Sequence, residues 1–297
     1  MEKQRLLIVD GMALLFRSFF ATSVFNQFFY NERGIPTNAV SGLVKHLEAA
    51  IRHFQPSHIS ICWDTPSRTF RHDLYEEYKG NRSAPPEEMV PQFDLAQSVT
   101  DQLGFYNIKV EGYEADDCIG ALASMYRGQS EVHSVTGDKD LLQLLHDGVE
   151  VHLLQKGVGS YDRWTKVRFE DEMGLSPEQW AEVKAFMGDP SDGYPGVKGI
   201  GEKTAIKIVA TYGSIQAVLD NIEQLTPSWR KKIEADQKQL LLSFQLAKIN
   251  CDVPLTCSLD ELNWQFNHEQ WRKTLMDHDI RGLRALLAQI EKEEYAG

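Results

Sequence analysis

The chain has 297 residues, 42% of them hydrophobic, enough to bury a sizeable core and too apolar for a disordered polypeptide. Its formal charge of −12 argues on its face against a nucleic-acid partner, because phosphate binding usually leaves a basic footprint. Nine of the 43 acidic residues fall into five tight groups, however, and without them the acids barely outnumber the 31 basic residues, so that class stays open. Cys62, Cys118, Cys251 and Cys257 form no CxxC pair and read as core thiols of a cytoplasmic protein. Leu6 to Val9 has the outline of a secretory signal, but Asp10 ends the apolar run, and no stretch is long enough to span a membrane.

Strand-like runs are predicted near 6–10, 58–64, 105–110, 131–136 and 149–155, alternating with helical patterns near 39–54, 92–103, 115–126 and 139–146. That alternation predicts an α/β fold with a mainly parallel central sheet flanked by helices. Between Asp64 and Gly104 lies an excursion broken at Pro85-Pro86, too long for an ordinary crossover and so expected to have a role of its own. After about residue 156 the strand signal fades and helices dominate, with Trp180 and Phe186 on a packed face. Gly196-Val-Lys-Gly-Ile-Gly-Glu-Lys-Thr-Ala then predicts a tight turn leading into a helix from Glu202 to Tyr212.

The acidic groups are Asp10; Asp64; Glu114, Asp116 and Asp117; Asp138 and Asp140; Asp189 and Asp192. Taken singly, each reads as solvated surface or a helix cap. Position changes that reading, since three predicted strands run into Asp10, Asp64 and Asp138, and the carboxyl ends of parallel strands line one crevice. A buried cluster of this size stays ionised only with bound cations, and oxygen-only ligands select magnesium or manganese. The basic residues gather too, as Arg68, Arg71, Lys79 and Arg82, as Lys198, Lys203 and Lys207, and as Arg230 to Lys232; each set also fits a solvated face. The glycine turn can hold a backbone phosphate at a helix N-terminus, or serve as a plain helix-to-helix turn; it lacks the GxxxxGK[ST] spacing of a nucleotide-binding loop.

Five segments together carry a family resemblance: IVDG (8–11), FRHDLYEEYKGNR (70–82), GYEADD (112–117), TGDKDLLQL (136–144) and GDPSDGYPGVKGIGEKTA (188–205). In order, spacing and type the chain resembles the 5′-to-3′ exonuclease domain of bacterial DNA polymerase I and the flap endonuclease group. The resemblance implies a PIN-like nuclease core at 1–175 with a helical arch near 66–104. A helical DNA-binding region at 176–297 would carry a helix–three-turn–helix near 188–213. It implies two metal positions, Asp10, Asp64, Glu114 and Asp116 at the first and Asp138, Asp140 and Asp192 at the second, with Asp117 and Asp189 in support. It also implies that Lys79 and Arg82 face the scissile phosphate, and that Phe70, Arg71 and Tyr78 meet the DNA, the two aromatic rings by stacking on an unpaired base. Lys198, Gly199, Gly201, Lys203 and Lys207 would grip the duplex, with a potassium ion on the carbonyls of Gly199 and Gly201. The implied partner is DNA with 5′ ends, flaps or nicks, and RNA primer strands, in replication or repair, without a polymerase domain.

One departure is Ser191-Asp192-Gly193, where the family usually has SDN; the glycine puts the second metal in question and leaves a non-catalytic DNA-structure binder as the alternative. A PIN-type ribonuclease shares the acidic crevice, and an aspartyl-phosphate phosphohydrolase is disfavoured because Met12 stands where its second acid belongs.

Overall fold

The structure, a computed structural model, describes residues 4–24 and 28–294; the outermost ends of the two expected units lie outside them. Six strands form the central sheet: β1 (Gln4–Asp10), β2 (His58–Cys62), β3 (Tyr106–Ile108), β4 (Ser130–Thr136), β5 (Val149–Leu154) and β6 (Tyr161–Trp164). Their spatial order is β3-β2-β1-β4-β5-β6. The first five run parallel, which suits near-continuous apolar sequences such as His-Ile-Ser-Ile-Cys in β2, buried at every residue. β6 is antiparallel to β5 and was not legible in the sequence, because Tyr-Asp-Arg-Trp is a short edge strand with two charges and no apolar run.

Side chains alternate across the sheet, so each face has its own core. Leu6, Ile8, Val132 and Val151 face helix α5 (Ala115–Tyr126) and the later helices, whereas Leu7, Val9, Ile61 and Val135 face α1 (Gly11–Thr22), α2 (Asn38–Phe54) and α4 (Val90–Gln102). Helix α1 has no sequence boundary of its own, since its apolar residues continue the run of β1. Asp10 marks its start, accepting a hydrogen bond from Ala13 N at 2.9 Å. The helix expected at 139–146 is instead a 3-10 segment, Lys139–Leu144, burying Leu141 and Leu142 before the chain turns back into β5.

The excursion after β2 contains α3 (Phe70–Leu74), an exposed stretch at Gly80–Pro85, and α4, whose Gln92 caps α2 by accepting from Ala39 N at 2.7 Å. Beyond β6 come α6 (Lys166–Met173), α7 (Trp180–Met187), α8 (Glu202–Tyr212), α9 (Ile215–Asp220), α10 (Pro227–Ala235) and α11 (Gln237–Ala247), and Trp180 and Phe186 are buried. The last helices, α12 (His268–Asp277) and α13 (Arg284–Glu294), do not stay with this group. They return to the core under α1, α2 and α4, where Trp271, Leu275, Leu283 and Ile290 are buried and Trp264 stacks on Phe105 with ring centroids 5.6 Å apart.

The chain leaves β1 towards β2 on one side and comes back as β4 on the other, so the order in which strands are added reverses between β1 and β4. A crevice opens there at the carboxyl ends of the strands.

Candidate active site

That crevice is a cavity of about 330 Å³ lined by Asp10, Asp64, Glu114, Asp116 and Asp138, with Lys79 and Arg82 on its rim. Backbone and hydroxyl donors fix the acids. Asp10, at the end of β1, accepts from Ala13 N and, at 2.7 Å, from Thr136 Oγ1 at the end of β4. Asp64 accepts from Ala115 N, the first residue of α5, at 2.7 Å, and Asp138 accepts from Asp140 N at 2.8 Å. Three strands and one helix therefore bring together acids more than a hundred residues apart.

Burial pushes the Asp10 carboxyl up to about 6, with the negative charges of Asp64 and Asp138 adding to the rise against the hydrogen bonds that lower it. Asp116 is driven well above the usual carboxylate range by burial and by Asp138 and Asp10. Lys79 reaches in to place Nζ 2.8 Å from Glu114 Oε1. Burial disfavours its charge, but Glu114, Asp192 and Asp64 outweigh that and raise its pKa. One lysine does not balance this cluster, and an all-oxygen donor set with uncompensated charge fits divalent cations such as magnesium or manganese.

Asp140, Asp189 and Asp192 do not line that crevice and are held by other partners. Lys184 on α7, not identified in the sequence, forms an ion pair with Asp140 Oδ1 at 2.8 Å and donates to Asp189 Oδ2. The available signal was its place in a helix five residues before an acid. Burial and Asp138 push Asp140 up to about 7 despite that lysine. Asp189 is lowered: burial opposes its charge, but Lys184 and Ser191 more than compensate, the Ser191 amide donating at 2.7 Å. Asp192 is held by Arg82 Nη2 at 2.5 Å and by the Tyr78 hydroxyl at 2.9 Å. The structure thus places Asp138 with the first set of acids and pairs Asp140 with Asp189 through a lysine.

Gly193 has φ +76°, a left-handed conformation that glycine, and after it asparagine, accepts most readily. An added Cβ would lie 3.2 Å from Asn81 Oδ1, so the amide of Asn81 already borders the space that the side chain of the family's usual asparagine would enter; Asn81 Nδ2 donates to Pro190 O at 2.6 Å.

Three expectations are corrected by burial. Asp117 is fully buried with both oxygens taken by Arg71, at 2.7 and 2.8 Å, and by the amides of Glu114 and Asn250, which leaves none for a metal. Arg71 is correspondingly 3% exposed and also donates to Leu246 O and Lys248 O, so it cannot meet DNA. Tyr78 is 2% exposed, its hydroxyl on Glu114 and Asp192 and its ring stacked on Tyr194, so no base can stack there. Phe70 is half-buried against Tyr113 and under the Arg71 guanidinium.

The glycine turn joins α7 to α8 through a two-stranded ribbon, Gly188–Asp189 with Tyr194–Pro195. Backbones touch there: a Cβ on Gly188 would sit 2.2 Å from Gly196 N, and one on Gly196 2.3 Å from Phe186 O. Lys198, Lys203 and Lys207 are exposed, and Lys207 Nζ lies 5.7 Å from the Trp229 ring centre. Gly199 has the positive φ, +78°, whereas Gly201 is extended and open, capping α8. The Gly199 carbonyl also accepts Lys232 Nζ at 2.8 Å, so an ammonium stands where potassium was expected.

Carboxylates of this density, faced by fixed cations at the mouth of an α/β crevice, define the metal-dependent phosphodiester nucleases. The chain belongs to the 5′-3′ exonuclease family: residues 5–174 match the model of its N-terminal resolvase-like domain and residues 175–270 that of its C-terminal SAM fold. It is 49% identical to a 5′-3′ exonuclease of Bacillus subtilis (strain 168), the similarity covering 99% of each chain. It is 38% identical to DNA polymerase I of Lactococcus lactis subsp. cremoris (strain MG1363) over 88% of this chain and 30% of that protein. Among solved structures, the bacteriophage T5 D15 flap endonuclease in a complex with DNA and metal ions superposes with a TM-score of 0.68 at 20% identity, covering 98% of this chain and 97% of that one. The fold and the nuclease activity expected from the sequence are those of these relatives.

Proposed function

We propose that the protein hydrolyses DNA at 5′ ends, flaps and nicks with two divalent cations, magnesium or manganese, held by the carboxylates of the crevice. The observation that carries this reading is the convergence of Asp10, Asp64, Glu114, Asp116 and Asp138 on one crevice, with Lys79 the one lysine that lines it. Asp10, Asp64, Glu114 and Asp116 would hold one ion, and Asp138 with Asp192 and Asp140 the other, Asp140 and Asp192 turning from Lys184 and Arg82. When bound, such ions activate a water and neutralise the leaving oxygen.

The chain's own residues supply orientation and fixed charge. Thr136 and the first turns of α1 and α5 aim the acids, while Lys79 and Arg82 oppose the charge that builds on the cleaved phosphate. The duplex beyond the cut would lie on Lys198, Lys203 and Lys207, in a helical region at 176–297, and the nuclease core would be 1–175 with its arch near 66–104. RNA primer strands are a further substrate class, and the setting is cytoplasmic replication or repair; no described helix is long and apolar enough to cross a membrane.

A labelled panel of single strand, nicked duplex, flap and RNA–DNA hybrid, with and without magnesium, tests this reading. Cleavage from the 5′ side that needs the metal is expected, and Asp138→Asn should abolish it while retaining DNA binding. Near-normal turnover by Asp138→Asn at saturating magnesium would overturn the proposed site.

A further inference from the structure

The sheet carries a second group of ligand-type side chains that nuclease chemistry leaves unused. His133 on β4 lies in register with Glu150 on β5, and His152 follows two residues later, so all three project from the face covered by α2. His133 Nδ1 and His152 Nε2 are 3.2 Å apart, and Glu150 Oε2 lies 3.6 Å from the first and 3.3 Å from the second. In a tetrahedron an edge is about 1.6 times the centre-to-corner length, so zinc bonds of about 2.0–2.2 Å give edges of about 3.3–3.6 Å. Three donor atoms already stand at nearly those separations.

Hydrogen bonding does not exhaust this group. A neutral imidazole carries one N–H, and His152 Nδ1 is buried without a hydrogen-bond partner. Phe54 walls the site, its ring centre 5.3 Å from that of His133 and 4.6 Å from that of His152, while half-buried His133 and Glu150 leave a side open to water. Arg163 on β6 closes that side, with Nε 2.8 Å from Glu150 Oε2 and Nη2 on Glu150 Oε1; its side chain is 65% exposed, so a metal that takes the carboxylate can displace it into solvent.

We propose that His133, Glu150 and His152 form a zinc site separate from the acidic crevice, completed by a water and clamping β4 to β5. Two imidazoles and a carboxylate suit zinc or cobalt(II), whereas the all-oxygen crevice suits magnesium, so one chain sorts two classes of ion.

The test uses the full chain, stripped of metal and resupplied with excess magnesium to fill the crevice, then titrated with cobalt(II) as an optical probe and with zinc. One equivalent of cobalt should give the intense visible absorption of a four-coordinate centre, displaced by zinc, and zinc should raise the unfolding temperature. His133→Gln, a change at a half-buried position, should lose both responses. Arg163→Ala frees the carboxylate and should tighten cobalt binding by about tenfold, the scale on which neighbours of metal ligands act. Equal absorption in wild type and His133→Gln overturns the site. So does absence of the band from both wild type and Arg163→Ala, and should His133→Gln fail to fold, unchanged or weaker affinity in Arg163→Ala does the same.

Discussion

At the scale of single residues, the crevice stores a conflict that pH exposes. Asp10 titrates near 6 in the fold against an ordinary carboxylate value near 4, so its contribution to stability is complete below the lower value and disappears as pH rises through the higher one. In chelator, wild type should therefore lose stability relative to Asp10→Asn between about pH 4 and 7, read as the difference in urea midpoints. Any offset from the bonds to Ala13 and Thr136 does not move with pH, and magnesium should cancel the trend. A difference flat with pH in chelator would show that the carboxyl is ionised throughout. Lys79 belongs to the same balance. Lys79→Ala should slow the single-turnover step by roughly 2–4 kcal/mol if its charge is preorganised for the transition state, with affinity for a flap substrate changed far less. Unchanged chemistry with weakened binding would make it an ordinary phosphate contact.

Between elements, Arg71 joins α3 to α5 and to the carbonyls that end α11, with its guanidinium paired to both oxygens of the fully buried Asp117. Arg71→Met leaves Asp117 charged and unpaired, and a loss of about 3–5 kcal/mol is expected by denaturant unfolding. The double variant Arg71→Met, Asp117→Leu should recover part of it, which separates an orphaned charge from lost packing. On the turn before α8, Gly199→Ala should strain a φ of +78° by about 1 kcal/mol and weaken binding to nicked duplex more than to single strand, whereas Gly201→Ala should be silent. Lys203→Ala should reduce the salt slope for duplex binding by about one unit if it meets one phosphate. Equal losses on both substrates would mark the turn as structural.

Such distinctions mark how far the sequence could be read. Acids at strand ends were legible because β-propensity and a charged stop coincide at Asp10, Asp64 and Asp138. Helix α8 was legible because its apolar period follows a glycine turn. Arg71 and Tyr78 were misassigned because a basic or aromatic residue in a motif looks alike whether it faces substrate or props up an acid, and only the partners across the fold, Asp117 and Glu114, tell them apart. Lys184 was missed for the same reason, since a lysine inside an amphipathic helix gives no sign that two acids converge on it.

Over the whole molecule, the path of the chain governs assembly. Residues that pack on β2, β3 and α4 come from both ends of the sequence: Trp264 N donates to Ser57 O, Gln270 and Thr274 donate to Gln102 O, and α12 and α13 finish the core that α1 and α2 begin. The region from α7 to α11, which packs on the other face with α5, is therefore inserted in sequence between two parts of that core, and its turn is anchored at both flanks instead of hanging from a single linker. During synthesis, Phe105, Leu103 and Val99 must wait for residues near 264–290 to be made before they are covered, which leaves the nascent sheet with an apolar flank throughout the interval. A chain ended at 258 should consequently emerge as a dye-binding, aggregation-prone species although every acid of the crevice is present, and a separately supplied peptide spanning 259–294 is the missing wall that should restore it.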